Sequence, residues 1–336
     1  MAGPVQPLAV TMGDPAGCGP QITVSAWKQR RDLSLSPFFV IAEPSLYSDH
    51  VPVAEISSPL EAENVFDSAL PVVPIELSGV NELKVGTPSS DYAAAITDSI
   101  AKATLFCLAG EAAAVVTNPI NKAVLYDAGF KFPGHTEFIA DLCSTDEKRL
   151  KPVMMLVGGG LRVALASIHV PLMRVLDHIT PQTLTETARI THTALVERFG
   201  LASPRIAFSG LNPHAGEDGT IGTEERDIIN PVAEILRAEG VNISDARPGD
   251  TVFHEALSGA YDAVIAMTHD QGLIPVKTLD MWGGVNTTLG LPIIRTSPDH
   301  GTAYDAAAKG ECRPDSLIAA LKLAADMACT QRAPHA

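Results

Sequence analysis

Short apolar runs alternate with longer amphipathic segments along most of the chain. The apolar runs have the length and the flanking turn residues of buried strands. Strands are predicted at 8–12, 38–42, 72–77, 112–117, 153–157, 162–168, 205–210, 263–267 and 293–296. Helices are predicted at 21–30, 90–108, 136–142, 181–199, 223–239 and 314–327, and a turn at 245–250. This alternation predicts an α/β fold, in which helices cover both faces of a largely parallel sheet.

Three of the apolar segments, 161–170, 205–214 and 262–270, carry a histidine at or next to their carboxyl ends. Ligands of open α/β sheets bind just outside the carboxyl ends of the strands. His169, His214 and His269 are therefore candidates to converge at one edge of the sheet. Three neutral imidazoles there would form a divalent-metal site of the catalytic type, with positions left open for substrate. The alternative for each histidine is a hydrogen-bonded loop residue.

Composition narrows the classes of function. The chain has 336 residues, of which 46% are hydrophobic and 19% charged, and a formal net charge of −15. This balance is typical of a packed enzyme and makes nucleic acid and anionic membranes poor partners. The five cysteines are scattered and odd in number, which favours a reducing compartment. We find no signal-peptide pattern and no apolar stretch of membrane-spanning length, and therefore expect a cytoplasmic protein.

Two segments are candidates to hold an anion. Residues 12–20 (MGDPAGCGP) join the first predicted strand to the first helix, and their glycines permit a close backbone approach. The alternative is a tight turn that packs this helix. His135 and Thr136, in PGHTEF, open a short predicted helix and would suit a phosphate group, or they only cap the helix. Lys122 is either a cation of such a site or a solvated helix residue.

The later part of the chain contributes further charged and polar candidates. His214 is the chemical centre of the long polar loop 210–222, and His269 is followed directly by Asp270. Lys277, Asn286 and Arg295 are candidates to bind an anionic substrate, because an arginine can grip a carboxylate or phosphate with two bonds. Asp250 follows a Pro-Gly turn and is either a metal neighbour or a capping residue.

Taken together, these segments resemble one known family. The segments MGDPAGCGP, TNPINKAVL, PGHTEF, IHVPL, GLNPHAGEDGTIGTEE, THDQGLIPVK and GVNTTLGLPIIRTSPDHGTAYD resemble, in matching order, those of the 4-hydroxythreonine-4-phosphate dehydrogenases of pyridoxal phosphate biosynthesis. The resemblance runs from about residue 8 to residue 330. More distantly, GDPAGCGP and DHGTAYDAAAKG are similar to GDGIGPE and HGSAPDIAGKG of the isopropylmalate and isocitrate dehydrogenases.

The resemblance implies a fold and an assembly. It implies two α/β/α subdomains with a cleft between them, as in isopropylmalate dehydrogenase. We expect the first to contain residues 1–140 and about 290–336, and the second about 141–289. It also implies a homodimer with shared active sites, in which metal ligands are donated across the interface.

The resemblance also implies roles for individual residues. His169, His214 and His269 match metal ligands, for Zn, Mg or Co. The predicted substrate contacts are His135, Thr136, Lys277, Asn286 and Arg295. The predicted cofactor contacts, for NAD or NADP, are Gly13, Asp14, Gly17, His300, Gly301 and Asp305. Asp250 and Asp270 are the candidates to orient the ligands or relay a proton. The sequence departs from the distant relatives in AAAKG, where they have IAGKG, and in histidines that replace an acidic metal site.

The implied reaction is oxidation of the C3 hydroxyl of 4-phosphooxy-L-threonine by NAD or NADP, followed by loss of carbon dioxide. We expect phosphate and carboxylate to bind separately, one at His135/Thr136 and the other at Lys277/Asn286/Arg295. The nearest alternative is a dehydrogenase of 4-phospho-threonate or 4-phospho-erythronate. Two others are a zinc hydrolase or lyase without nicotinamide, and a dimer whose histidines only bridge subunits through metal.

Overall fold

The computed structural model describes residues 6–145 and 149–332. Within these residues the strands are β1 Leu8–Thr11, β2 Phe38–Ala42, β3 Val53–Glu55, β4 Leu70–Pro74, β5 Val115–Val116, β6 Val153–Gly158, β7 Leu161–Leu165, β8 Ile206–Ser209, β9 Ile243–Arg247, β10 Ala263–Ala266, β11 Val285–Leu289 and β12 Arg295–Pro298. The predicted strand 38–42 is observed with the same bounds, whereas β3, β9 and β11 were not predicted.

The α-helices of the described residues are α1 Gly19–Lys28, α2 Ser45–Ser48, α3 Ala62–Val65, α4 Ala93–Leu108, α5 Lys122–Asp127, α6 His135–Cys143, α7 Pro181–Glu197, α8 Asn230–Ala238, α9 Val252–Leu257, α10 His269–Leu279, α11 Tyr304–Lys309 and α12 Asp315–Arg332. A π-helical turn, Glu225–Ile229, precedes α8, and short 3-10 turns lie between other elements. None of the helices in the described part of the chain is long and apolar enough to cross a membrane.

The chain divides into two compact units. The first contains the described residues up to Pro152 together with Leu291–Arg332, and the second contains Val153–Gly290. By comparison, the sequence analysis placed the boundaries near residues 141 and 289. The predicted ranges also include residues 1–5, 146–148 and 333–336, which lie outside the described residues.

The first unit contains a parallel sheet with the strand order β3-β4-β2-β1-β5-β12. Every residue of β1 and β2 is buried, which is typical of a parallel sheet covered on both faces. Ser99 of α4 ties two strands to this helix, because its hydroxyl accepts from Met12 N and donates to Ile41 O. At the other edge of the first unit, α12 packs against β12.

The second unit contains a mixed sheet with the order β11-β6-β7-β10-β8-β9. β11 and β6 pair antiparallel, as do β6 and β7, whereas β7, β10, β8 and β9 are parallel. Alternate residues of the strands point into two different cores: Val163 packs in the one that contains α9 and α10, and Ala164 in the one that contains α7 and α8. Each unit is therefore α/β, and the predicted fold class is confirmed.

The predicted turn at 245–250 is wrong in its first half. Residues up to Arg247 belong to β9, and the turn begins only at Pro248, whose carbonyl accepts from Val252 N. β9 is an edge strand with alternating exposure, so its polar residues face solvent. An edge strand of this kind lacks the apolar run by which the buried strands were identified. β11 was missed for a related reason, because buried threonines replace aliphatic residues in it.

Candidate active site

The histidine-bearing strands of the second unit lie side by side. β10 is between β7 and β8, and all three are parallel, so their carboxyl ends meet at one edge of the sheet. His169 follows β7, His269 is the first residue of α10 just after β10, and His214 lies in the loop after β8. The fold therefore places all three predicted ligands at the edge where open α/β sheets bind their ligands.

His169 and His269 lie next to each other. Their ring centroids are 5.4 Å apart, and the side chain of His269 is 30% exposed. Nδ1 of His269 donates to Oδ1 of Asp270 at 2.8 Å, because a carboxylate only accepts, and this bond directs Nε2 to the other side of the ring. A carboxylate that orients an imidazole in this way is a frequent companion of metal-binding histidines.

His214 occupies a strained loop. Five consecutive residues, 214–218, have φ angles between 43° and 79°, so this segment is a left-handed turn. Only Gly216 adopts that conformation without steric cost, since left-handed backbone costs other residues about 1–2 kcal/mol each. Strain of this kind persists where the surrounding structure enforces it, and it occurs mainly at functional sites.

Glu225 holds the base of this loop. Its buried carboxylate accepts from Leu211 N at 2.8 Å and from Asn212 N at 2.7 Å, both through Oε1. Oε2 accepts from Asn212 Nδ2 at 2.9 Å, and it would lie 2.7 Å from a Cβ at Gly216. A buried carboxylate with three donors thus fixes the start of the loop against the π-helical turn.

The residues partly fit a divalent metal. Imidazole and carboxylate are ligands suited to zinc, cobalt and related ions, and His169 and His269 supply a pair of imidazoles just beyond the ends of two neighbouring strands. Among the described residues, however, no three His, Cys, Asp or Glu side chains form a group that could hold a metal ion. A complete site needs a further ligand at this pair.

Asp250 lies in the turn between β9 and α9, at the same edge of the sheet. The preceding residue, Gly249, packs against the site: a Cβ there would lie 3.0 Å from Gln271 Nε2 and 3.3 Å from Ser209 Oγ. Asp250 itself is exposed. Its position is compatible with proton transfer at the histidine edge, and its role stays a prediction.

A second cluster, in the first unit, gathers positive charge at the start of α6. Gly134 is the residue before this helix, and a Cβ there would lie 3.7 Å from the Lys122 ammonium. Arg295 is buried and donates from Nη2 to Thr117 Oγ1 at 2.7 Å. Burial lowers the pKa of Arg295 to about 10, and the negative charge of Glu137 acts in the opposite direction.

His135 is the imidazole of this cluster. Its Nε2 is buried and has no hydrogen-bond partner among the described residues. Burial lowers its pKa well below the usual 6.5, and the positive charges of Arg295 and Lys122 lower it further. This cluster of a neutral imidazole and two cations beside helix amides, called the anion seat below, has the chemistry that favours an anion. The structure thus places Arg295 with His135, whereas the sequence analysis grouped it with Lys277 and Asn286.

Of the other predicted substrate contacts, Thr136 lies in the first unit, and Lys277 and Asn286 lie in the second. Thr136 is the second residue of α6, next to His135. Lys277 is near the carboxyl end of α10, and Asn286 is on β11 opposite Leu156. Oδ1 of Asn286 is buried without a hydrogen-bond partner in the described part of the chain. An unsatisfied buried amide oxygen is costly and is often explained by a ligand donor.

The glycines of the loop after β1 serve close packing. Gly13 has a φ of +71°, and a Cβ there would lie 2.6 Å from Asn118 Cβ. At Gly17 a Cβ would lie 2.8 Å from the carbonyl oxygen of Thr302. This packing agrees with the tight-turn alternative, and the cofactor contacts of both glycines stay predictions.

Asp14, in the same loop, is fully buried. Its Oδ1 accepts from Ala16 N at 3.0 Å, and its Oδ2 accepts from the Tyr304 hydroxyl at 2.5 Å. Burial raises the pKa of Asp14, while these hydrogen bonds lower it. The side chain thus ties the glycine loop to the start of α11.

A cavity of about 330 Å³ opens beside the glycine loop. Its lining includes Gly17 and Gln21, and in the same unit also Ser45, Leu46, His50, Val80, Asn81, Leu83 and Val85. This volume lies within the range of small-molecule sites. Of the remaining predicted cofactor contacts, His300, Gly301 and Asp305 are exposed near the loop, and Cys18 Sγ donates to Gly301 O at 3.6 Å.

Sequence reasoning missed several residues that shape these sites, namely Ser167, Glu225, Gln271 and Tyr304. A signal existed for Gln271, because Thr268 and Gln271 have the spacing of a capping box at the start of α10. The other three carried no local signal, since each bonds to a residue that is distant in the sequence or in an irregular loop.

Comparisons with known proteins identify the family of this chain. Residues 35–324 match the family model described as pyridoxal phosphate biosynthetic protein PdxA. The 4-hydroxythreonine-4-phosphate dehydrogenase of Methylorubrum populi is 49% identical over 98% of this chain and 96% of its own length. The enzyme of the same name from Maricaulis maris is 48% identical over 96% of this chain and 98% of its own length.

A solved structure extends the similarity to the fold. The crystal structure of 4-hydroxythreonine-4-phosphate dehydrogenase from Klebsiella pneumoniae has a TM-score of 0.85 and 36% identity, and the match covers 96% of this chain and 99% of that one. Similarity in sequence and in fold thus extends over nearly the whole chain, and the protein belongs to the 4-hydroxythreonine-4-phosphate dehydrogenase (PdxA) family.

Proposed function

We propose that this protein oxidises 4-phosphooxy-L-threonine to 2-amino-3-oxo-4-phosphooxybutanoate, which decarboxylates to 3-amino-2-oxopropyl phosphate. The oxidant is NAD or NADP, and the reaction depends on a divalent metal. The observation that carries the metal dependence is the pair His169 and His269 at neighbouring ends of parallel strands. The names of the relatives support the substrate and the dehydrogenase activity.

The third metal ligand is His214. We propose that His169, His214 and His269 act together in a homodimer, in which a site draws its ligands from both chains. This arrangement would explain why the described residues of one chain contain a pair of imidazoles but no complete group of metal ligands. Zinc, magnesium and cobalt are the candidate ions, and imidazole ligands favour the first and the last of these.

The anion seat at α6 holds the phosphate. His135, Thr136, Lys122 and Arg295 surround a helix start where backbone amides and fixed positive charge favour an anion. Their local charge offsets the net charge of −15, which would otherwise repel a phosphorylated acid. Lys277 and Asn286 are the proposed contacts for the other polar groups of the substrate.

Each group then has one task in the reaction. When bound, a divalent metal supplies Lewis acidity, which lowers the pKa of an alcohol and favours electron flow towards a ketone oxygen. A bound NAD or NADP would supply the two-electron acceptor for the hydride that leaves C3. Asp270 holds the proton on His269 Nδ1 and thereby aims Nε2, and Asp250 or Asp270 takes the hydroxyl proton on its way to solvent. The product is a β-keto acid. It loses carbon dioxide when the bond between the carboxylate carbon and C2 breaks and its electron pair moves towards the ketone oxygen, and the resulting enolate takes up a proton at C2.

The cofactor occupies the first unit, near the glycine loop. The proposed contacts are Gly13, Asp14, Gly17, His300, Gly301 and Asp305, and the cavity beside this loop is the proposed seat for one end of the dinucleotide. Asp14 acts there by holding the loop to Tyr304.

A substrate panel tests the proposal. Purified protein is incubated with NAD or NADP and either 4-phosphooxy-L-threonine, 4-phospho-threonate or 4-phospho-erythronate, and reduced nicotinamide and carbon dioxide are measured together. We expect equal amounts of both products from the amino acid, loss of activity with a chelator, and recovery with added metal. Faster turnover of either hydroxy acid would favour the alternative substrates. Activity that no chelator affects would contradict the metal dependence.

A further inference from the structure

A chain of hydrogen bonds runs across the three strand ends that bear the histidines. The Ser167 hydroxyl donates to Met267 O at 2.6 Å, and this contact is buried. Met267 N donates to Gln271 Oε1 at 2.7 Å, and Gln271 Nε2 donates to Gly210 O at 2.7 Å. The side chains of Ser167 and Gln271, together with the backbone of Met267, thereby connect the segments that follow β7, β10 and β8.

The chain of bonds lies close to each histidine along the sequence. Ser167 is just before His169, and Gly210 begins the loop that carries His214. Met267 and Gln271 flank His269 on either side. A shift of any of these bonds would therefore move one histidine relative to the other two.

The sheet itself does not supply these bonds. The strand pairing described for β10 ends at Ala266 opposite β7 and at Ile265 opposite β8. One backbone bond, from Ala166 N to Ala266 O, continues on the β7 side. Beyond this bond, the backbone N–H and C=O of Met267 bond to the side chains of Gln271 and Ser167. Side chains therefore continue the connection between the strands past the last paired residues.

The conformation of Gln271 departs from that of an ordinary helix cap. Thr268 Oγ1 accepts from Gln271 N at 3.4 Å, as in a capping box. In that motif the glutamine side chain returns to the backbone N–H of the capping residue. Here it reaches one residue further back, to Met267, and its other end crosses to Gly210. Gly249 allows this, because a Cβ there would lie 3.0 Å from Gln271 Nε2.

We propose that Gln271 and Ser167 are positioning residues, which fix the strand ends that present His169, His214 and His269 of each chain to the shared metal sites. This inference rests on the proposed metal site. In the proposed reaction, neither side chain binds the metal or the substrate, and neither transfers a proton. Changes to the outer partners of metal ligands typically reduce metal affinity about 10–100-fold, and we expect losses near the lower end of that range.

Cobalt binding to the purified full-length chain tests the proposal. The variants are Gln271→Met, which keeps the approximate shape of the side chain, and Ser167→Ala, a smaller change to the same chain of bonds. The control is Thr180→Ala, which removes the N-cap of α7 in the same unit, where Thr180 Oγ1 accepts from Thr183 N at 3.2 Å. The affinity for Co²⁺ and its visible absorption spectrum are measured, with the free energy of unfolding as a check on folding.

We expect both variants to bind Co²⁺ at least about ten-fold more weakly, with an altered spectrum. The control should be less stable, because α7 loses its N-cap, and should bind Co²⁺ as the wild type does. In metal-free protein, hydrogen exchange of residues 210–222 should become faster in Gln271→Met and stay unchanged in the control.

Two results would count against the inference, and they are distinguishable. Wild-type affinity and spectrum in both Gln271→Met and Ser167→Ala, with weakened binding in His169→Ala and His269→Ala, would overturn the positioning role alone. Wild-type affinity in the two histidine variants would overturn the proposed metal site and the positioning role with it.

Discussion

His135 combines burial with nearby positive charge, and this has a consequence for the pH dependence of stability. Its pKa in the folded protein lies well below 6.5, chiefly because of burial and further because of Arg295 and Lys122. Below pH 6.5 the unfolded chain therefore binds a proton at this histidine that the folded protein does not bind. The free energy of unfolding falls as the pH falls through this range.

Replacement of His135 by glutamine should remove this contribution. Between pH ~7.5 and ~5.5, the wild type should lose stability relative to His135→Gln, with a slope of up to about 1.4 kcal/mol per pH unit. Urea unfolding at several pH values measures the difference. The exposed His254→Gln serves as control. A pH dependence in His135→Gln equal to that of the wild type would show that His135 does not cause the effect.

Arg295 should be sensitive even to a conservative change. Arg295→Lys replaces a planar fork, of which Nη2 already donates to Thr117, by a point charge. We expect the KM for the phosphorylated substrate to rise at least about ten-fold, as for loss of one charge-assisted bond, with little change in the KM for the nicotinamide. Steady-state kinetics separate the two constants, and Arg313→Lys, at an exposed arginine, is the matched control. An effect confined to the nicotinamide would assign Arg295 to the cofactor instead.

At the scale of elements, the left-handed turn around His214 depends on Glu225. The Glu225→Ala change leaves the partly buried donors of Leu211 and Asn212 without their acceptor. An unsatisfied buried donor costs about 1–3 kcal/mol, so we expect a loss of at least about 2 kcal/mol in the free energy of unfolding. The control is Glu234→Ala, at an exposed glutamate of α8. Unfolding in urea gives both values, and equal stability of the two variants would contradict the role of Glu225.

The close packing of α10 against the sheet depends on Gly272. A Cβ there would come within 2.5 Å of Leu165 Cδ2 and 3.0 Å of Val163 Cγ1, so any larger residue forces the Leu165 side chain or the helix itself to shift. Alanine favours a helix by about 1 kcal/mol, but overpacking costs about 1–3 kcal/mol, so Gly272→Ala should be destabilising or at best neutral. It should also disturb the neighbouring His269.

The free energy of unfolding of Gly272→Ala is compared with that of a control variant, at a glycine where an added Cβ has room. At Gly301 a Cβ would meet nothing within 4 Å, so Gly301→Ala should change the free energy of unfolding by less than about 0.5 kcal/mol. A Gly272→Ala protein more stable than the wild type would show that α10 is not held at this distance by packing.

At the scale of the whole molecule, the proposed homodimer predicts complementation between inactive variants. His135→Ala and His269→Ala each remove one proposed contact, from the first and the second unit respectively. If one active site uses these residues from opposite chains, a dimer with one chain of each variant has one site that carries both substitutions and one site that carries neither. Mixing under subunit exchange should then restore activity, up to half of the wild-type value per hybrid dimer. No recovery for any pairing of the metal and substrate residues, despite confirmed exchange, would mean that each site is built from one chain.

The sequence by itself determined the features that depend on local pattern. Buried strands such as β2 are continuous apolar runs, so both their existence and their bounds can be identified from the sequence. The placement of His169, His214 and His269 after such runs is also a local property. The family motifs are contiguous segments, and the α/β fold class follows from the alternation of elements.

The tertiary structure decided what depends on contacts between distant residues. The order β7-β10-β8 brings His169 to His269, which is 100 positions away, because sheet order is set by packing of the whole unit. The bonds of Ser167 to Met267 and of Gln271 to Gly210 likewise join residues 100 and 61 positions apart. No periodicity encodes such pairs, since each depends on where other strands and loops come to lie. The same holds for the left-handed turn at His214, whose strain is maintained by a carboxylate from the next element.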